Sequence, residues 1–154
     1  MSTVNFDSPF TSALLDGAIT SIATHDLDGN PNRVLSPTLP FLVTVSWTNT
    51  GTIVPFMGGE YTVRVYAESM GPGPEMEIGH ATVGVNVTGN YAVTINVPAN
   101  TLAAAEPDLP NITGALEPSG VYKLVAVVSY SNFGVNLPLA GFREEARLFE
   151  IRKP

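Results

Sequence analysis

Cysteine is absent from the 154 residues, which rules out thiolate zinc sites, iron–sulfur clusters and cysteine nucleophiles and leaves the fold to be held by burial without disulfides. Histidine is almost as scarce. His25 and His80 are the only two, too few for a cluster, and no HExxH spacing exists. Positive charge is short as well: 7 Lys and Arg against 14 Asp and Glu give a formal charge of −7. A polyphosphate backbone needs clustered cations, so nucleic acid is not an expected partner. Nothing approaches the roughly 18 consecutive apolar residues of a spanning helix, so no membrane span is expected, and Met1–Asn5 lacks the basic start of an export signal. Gly-x-Ser-x-Gly elbows, Walker loops and dinucleotide glycine fingerprints do not occur, and no cofactor is expected. The neighbouring carboxylates Glu75 and Glu77, Glu106 and Asp108, and Glu144 and Glu145 fall in loops or at a strand start, where solvation accounts for them. The chain reads as no enzyme.

What the sequence does contain is β-type alternation. Gly120–Ser131 is the longest run, with Tyr122, Leu124, Ala126, Val128 and Tyr130 on one face and Val121, Val125 and Val127 on the other. Two apolar faces predict a central strand buried on both sides. Phe41, Val43, Val45 and Trp47 alternate with Leu42, Thr44, Ser46 and Thr48 in a second strand that ends at Asn49-Thr50-Gly51. Glu60–Glu68 predicts a third, with Tyr61, Val63, Val65 and Ala67 inward. Ala81, Val83, Val85 and Val87 share a face, Gly89-Asn90 reverses the chain, and Tyr91, Val93, Ile95 and Val97 follow, which predicts a tight hairpin. A last strand is expected over Arg143–Arg152. Gly71-Pro72-Gly73-Pro74 and the proline-bearing stretch 99–119 read as loops, the second with room for one helical turn over Thr101–Glu106. The sum is an all-β chain, a single antiparallel immunoglobulin-like sandwich of about seven strands over residues 17–154, preceded by an N-terminal arm, residues 1–16. Tyr122 is placed to tie the preceding long loop to its strand through its hydroxyl, as a tyrosine corner does.

The stretch before Phe41 is less regular. Residues 18–24 are rich in β-branched side chains, yet Ile19 and Ile22, three apart, would point to opposite faces of a regular strand, and a short helix over Ser12–Ile19 competes. His25-Asp26-Leu27-Asp28-Gly29-Asn30 is similar to the opening of a calcium loop. With Asp26 and Asp28 as third and fifth ligands, however, Leu35 falls where the bidentate Glu should stand. A plain Asp-Gly turn is the simpler reading; no metal is expected, and calcium at Asp26 and Asp28 is the alternative. Asn86-Val-Thr88 and Asn111-Ile-Thr113 match glycosylation acceptors but read more simply as turn and edge residues.

The runs Val43-Thr-Val-Ser-Trp-Thr-Asn-Thr-Gly51, Tyr61-Thr-Val-Arg-Val-Tyr66 and Gly120-Val-Tyr-Lys-Leu-Val-Ala-Val-Val128 resemble the bacterial adhesion-related sandwich domains called CARDB and, more loosely, fibronectin type III domains, over about residues 40–152. The resemblance implies a surface, adhesion or assembly module and brings no catalytic residues with it. Only 14% of residues are charged, and Thr, Ser and Asn supply much of the polar surface. An extracellular, cell-surface or virion-surface setting is therefore expected.

Two connections are unusually apolar. Residues 52–59 carry Ile53, Val54, Phe56 and Met57, and residues 132–142 carry Phe133, Val135, Leu137, Leu139 and Phe142. In the immunoglobulin strand order both emerge at one end of the sandwich, which the arm, with Phe6 and Phe10, also reaches. Either they fold inward and plug the core, or they form a contact surface in which each side chain contributes roughly 1.5–3 kcal/mol when buried against a partner. On the second reading the chain is a non-enzymatic structural or adhesion-type module that self-assembles or docks on a protein partner. The alternative is a carbohydrate-binding sandwich using Tyr66, Trp47 or Tyr130 as a stacking platform.

Overall fold

The computed structural model describes residues 6–71, 75–104 and 119–153. Two sheets pack face to face. The first is antiparallel, in the order β1 (Asp16–His25), β3 (Phe41–Thr50), β6 (Asn90–Val97). The second runs β2 (Val34–Leu35), β9 (Phe149–Ile151), β7 (Val121–Asn132), β4 (Glu60–Ser69), β5 (Glu75–Gly84), with β8 (Val135–Glu144) also pairing with β7. The β2 and β9 strands pair in parallel; the other pairs are antiparallel. This is an all-β immunoglobulin-like sandwich. Among the described residues its strands number nine rather than about seven, because the short β2 is added and the stretch read as an apolar connection is a strand, β8, with the chain pausing over residues 145–148 before β9.

Burial follows side-chain chemistry with period two. Phe41, Val43, Val45 and Trp47 of β3, and Tyr61, Val63, Val65 and Ala67 of β4, all face the core. On β7, Tyr122, Leu124, Ala126, Val128 and Tyr130 are buried, while Val121, Val125 and Val127 on the other face are half-buried. The strand is central, between β4 and the β8–β9 edge, but among the described residues no second layer covers its outer face. The expectation of burial on both sides therefore fails: β-branched residues suit a pleated surface whether or not it is covered. The Tyr122 hydroxyl donates to the Ala103 carbonyl at 2.6 Å and fastens the preceding long connection to the strand. The Thr101–Glu106 turn and the Asn111 acceptor site lie wholly or partly outside the described residues.

The irregular early strand has a local cause. Pairing of β1 with β3 shifts register between Ile19 and Ser21, so Thr20 is an extra residue that reverses the alternation. Ile19 and Ile22, three apart, are both buried for that reason. Arg143 of β8 is buried beside this bulge and donates from Nη1 to the Ile19 carbonyl at 2.8 Å. The expected hairpin over residues 80–97 is not one. β5 pairs with β4 and β6 with β3, so Gly89 lies where the chain crosses from one sheet to the other, leaving Val87 exposed. The crossing is shaped by Asn86, whose Oδ1 accepts from the Thr88 and Gly89 N–H groups, both at 3.0 Å. A two-residue reversal signal cannot distinguish a ladder turn from a crossing between layers.

The core is closed at one end by an aromatic cluster spanning both sheets. Tyr61 lies edge-on to Trp47 and Tyr91 of the first sheet, with centroids at 5.7 and 5.1 Å, and 5.4 Å from Tyr130 of its own sheet. Its hydroxyl is buried with no hydrogen-bond partner among the described residues, and burial holds its pKa well above the ordinary value of 10.0. Burial also raises Tyr122 and Tyr130. A tyrosine whose folded pKa is raised contributes fully below the unfolded value and loses that contribution as pH climbs above it. Stability is therefore expected to decline above pH 10, and Tyr61→Phe should make that decline shallower. The same substitution removes an unsatisfied buried hydroxyl and should raise stability at neutral pH by about 1 kcal/mol. Urea unfolding of both proteins at neutral and alkaline pH measures both effects; a less stable Tyr61→Phe at neutral pH would contradict the reading.

Candidate functional site

Three segments meet above the aromatic cluster. Gly51, at φ +126°, turns the chain out of β3 with its α-carbon against the arm, where an added Cβ would meet the Leu14 carbonyl oxygen at 2.2 Å. Thr52 and Ile53 N–H groups then donate to the Ala13 and Leu14 carbonyls, both at 3.2 Å. A short 3-10 turn over Val54–Phe56, with Pro55 near its start, buries Val54 and leaves Phe56 86% exposed. The Tyr130 hydroxyl donates to the Gly58 carbonyl and fastens this loop to the end of β7.

Residues 132–142 are a hairpin arm rather than a loop. Asn132 pairs with Val135, so Phe133 and Gly134 alone form the turn. Both have positive φ, +51° and +74°, as a two-residue turn of type I′ requires, and Asn-Gly is the pair that suits it. A bulky residue at such a position costs about 1 kcal/mol or more. Phe133 sits there with its ring 99% exposed, so neither backbone preference nor core packing accounts for it. Pro138 is accommodated in the register irregularity opposite Tyr130.

The arm is stitched down by Phe6 N–H to the Gly17 carbonyl at 2.7 Å and by paired bonds between Asp7 and Ala140. Phe6 is buried against Gly141, where an added Cβ would come within 2.1 Å of its ring. Between arm, loop and hairpin opens an apolar pocket of about 290 Å³. Buried Leu15, Tyr130 and Leu139 form its base, Ile53 and Met57 line it from the loop, and the half-exposed Phe10 and Leu137 stand at its rim.

The inward-folding reading of the apolar residues holds for some of them. Phe6, Val54 and Leu139 are consumed by their own core and are not available to a partner. Phe10, Phe56, Phe133, Val135 and Leu137 remain exposed. Phe142 lies elsewhere, beside Val127 on the outer face of the second sheet. Of the stacking candidates, Trp47 and Tyr130 are core residues, and Tyr66 is half-buried on the outward face of β4.

The polar candidates are engaged in local structure. Asp26 accepts the N–H groups of Asp28 and Asn30 at 3.0 and 2.9 Å and closes a turn at Gly29. Glu77 meets Arg64 at 3.3 Å and His80 at 3.1 Å, and Glu144 meets Lys123 at 3.4 Å. His25 Nε2 lies 2.9 Å from the Thr44 hydroxyl. Among the described residues no group of three His, Asp or Glu could hold a metal ion; Glu106 and Asp108 are not among them.

No protein-family model matches the sequence, and no curated protein matches it. A solved structure shares its fold over part of a longer chain. A β-glucosidase from Erythrobacter marinus matches over 90% of this chain with a TM-score of 0.52 at 10% identity. A second, from Kluyveromyces marxianus, matches over 88% with a TM-score of 0.40 at 14% identity. The chain spans only 16% and 15% of their lengths.

Because Phe133 strains its turn and is 99% exposed, Phe133→Asn should stabilise the isolated chain by about 0.5–1 kcal/mol. Thermal unfolding of dilute protein tests this, and a destabilised variant would show that the ring is needed by the fold.

Proposed function

We propose that the chain is a non-enzymatic structural module that associates through its apolar tip, in the first instance with a second copy of itself. The observation that carries this reading is Phe133, 99% exposed on a turn it strains, at the end of the hairpin whose Leu137 and Leu139 line an apolar pocket of about 290 Å³. Strain kept at an exposed position points to use at that position.

A twofold pairing has a simple form. The Phe133 ring of each copy enters the tip pocket of the other, so that one patch serves as both ligand and receptor. Size supports it. A buried aromatic covers roughly 150–250 Å², so Phe10, Phe56 and Phe133 with Val135 and Leu137 offer on the order of 500–700 Å² per protomer, close to the roughly 800 Å² each partner contributes to a stable interface. Charge supports it too, because no Asp, Glu, His, Lys or Arg lines the pocket and the net charge of −7 is carried elsewhere. The Erythrobacter enzyme, in which a comparable fold makes up 16% of the chain, is consistent with a sandwich serving as one module of a larger assembly. Its chemistry is not carried over. An adhesion role and a cell- or virion-surface setting belong to the same proposal, supported by the low share of charged residues and the Thr-, Ser- and Asn-based polar composition.

Light scattering across a concentration series should show a monomer–dimer equilibrium. Phe56→Ser with Phe133→Ser should weaken it at least about tenfold, the loss of roughly 1.4 kcal/mol or more, with unchanged circular dichroism. A wild-type chain that stays monomeric to about 1 mM would overturn self-association.

A further inference from the structure

A second concavity lies far from the tip chemistry and is of another kind. It runs along the outer edge of β1, opposite the gap over residues 145–148 where β8 hands over to β9, and encloses about 490 Å³. Among the described strands β1 pairs only with β3; on its other edge the Gly17, Ile19 and Thr24 carbonyls are taken by Phe6, Arg143 and Asn32, and His25 bridges Pro31, so the stretch around Ile22 is the part of that edge with no backbone neighbour among the described residues. The Thr24 carbonyl accepts from Asn32 N–H at 3.1 Å on that outer side, which makes Thr24 and Val43 a pair whose peptide groups point away from each other. Ile22, two residues earlier and opposite Val45, has the same orientation, so its N–H and carbonyl face the groove.

Charge is concentrated there. Arg33, Arg143 and Arg147 all line the groove, three of the 7 Lys and Arg in the chain, with Glu145 the one carboxylate among them. Arg143 is buried and held against the Ile19 carbonyl, whereas Arg33 and Arg147 are exposed at the mouth. Leu124 and Phe149 are buried among the lining residues and provide apolar contact.

We propose that this groove binds an extended acidic segment of a partner protein by strand addition to β1. The backbone of the segment pairs with the Ile22 peptide groups, one side chain reaches toward Leu124 and Phe149, and a neighbouring carboxylate is met by Arg33 and Arg147. A cationic groove on a chain of net charge −7 selects against other copies of the same surface and for an acidic ligand that the tip, being apolar, does not recognise.

The probe is a short acetylated fluorescent peptide of alternating valine and glutamate, with its valine–lysine counterpart as control, titrated by anisotropy into the intact chain. Expected are saturable binding of the acidic peptide alone, and an affinity at least about tenfold lower for Arg33→Glu with Arg147→Glu. In the wild-type chain the Ile22 amide should become protected from hydrogen exchange on binding, a readout independent of the variants. Absence of saturable binding, equal binding of both peptides, or an unprotected Ile22 amide would overturn the proposal. A change in dimerisation of the double variant without peptide would overturn it too, by making the occupant a second copy.

Discussion

The aromatic contact centred on Tyr61 is the constraint on which the rest of the architecture depends. It joins Trp47 and Tyr91 of one sheet to Tyr130 of the other, and the Phe6 ring approaches it edge-on at 6.4 Å from the arm. A sandwich is open at its ends, where strands leave and loops begin, and a core exposed there would be wetted. Here the end is filled by rings, with Phe6, Val54 and Leu139 packed around them. Closure by these residues is what frees Phe56 and Phe133 from any duty in the fold. The tip is therefore two layers, an inner one that completes the core and an outer one that no described residue covers.

The two surfaces differ in physical character because they sit on different kinds of discontinuity. The tip is made by turns, where backbone polar groups are satisfied locally by bonds such as Ile53 to Leu14 and Tyr130 to Gly58. Apolar side chains can then dominate what solvent meets. The groove is made by a strand edge, where peptide groups remain directed outward and ionic side chains gather. Burying apolar area is the natural interaction of the first, and strand pairing with charge matching that of the second. The β1 bulge belongs to the groove in the same way: it re-aims one residue, keeps both Ile19 and Ile22 in the core, and stands beside the carbonyl that Arg143 holds.

Strands whose alternation reflects a single covered face were legible before any coordinates: Phe41–Thr48 and Glu60–Glu68 lie where their side chains placed them. So was the hydroxyl of Tyr122, since a tyrosine opening a strand after a long loop has few other partners. The site was half legible. Greasy residues in turns announced that something must cover them, and the strand order brought loop 52–59, the hairpin and the arm to one end. The groove was not legible, because Arg33 and Arg147 stand far apart in sequence and nothing local links either to the edge of β1.

By itself, then, the sequence determined the composition-level exclusions, the β class, the inward faces of the main strands and the presence of surplus apolar residues near turns, all of which depend on neighbours within a few positions. Tertiary structure alone decided that Phe6, Val54 and Leu139 go inside while Phe56 and Phe133 stay outside, that β5 and β6 part into different sheets, and that three arginines share a cleft. The physical reason is that alternation specifies which side of a strand is apolar but not what lies opposite it. Whether a side chain is covered is set by the packing of segments distant in the chain, and that is information no local pattern carries.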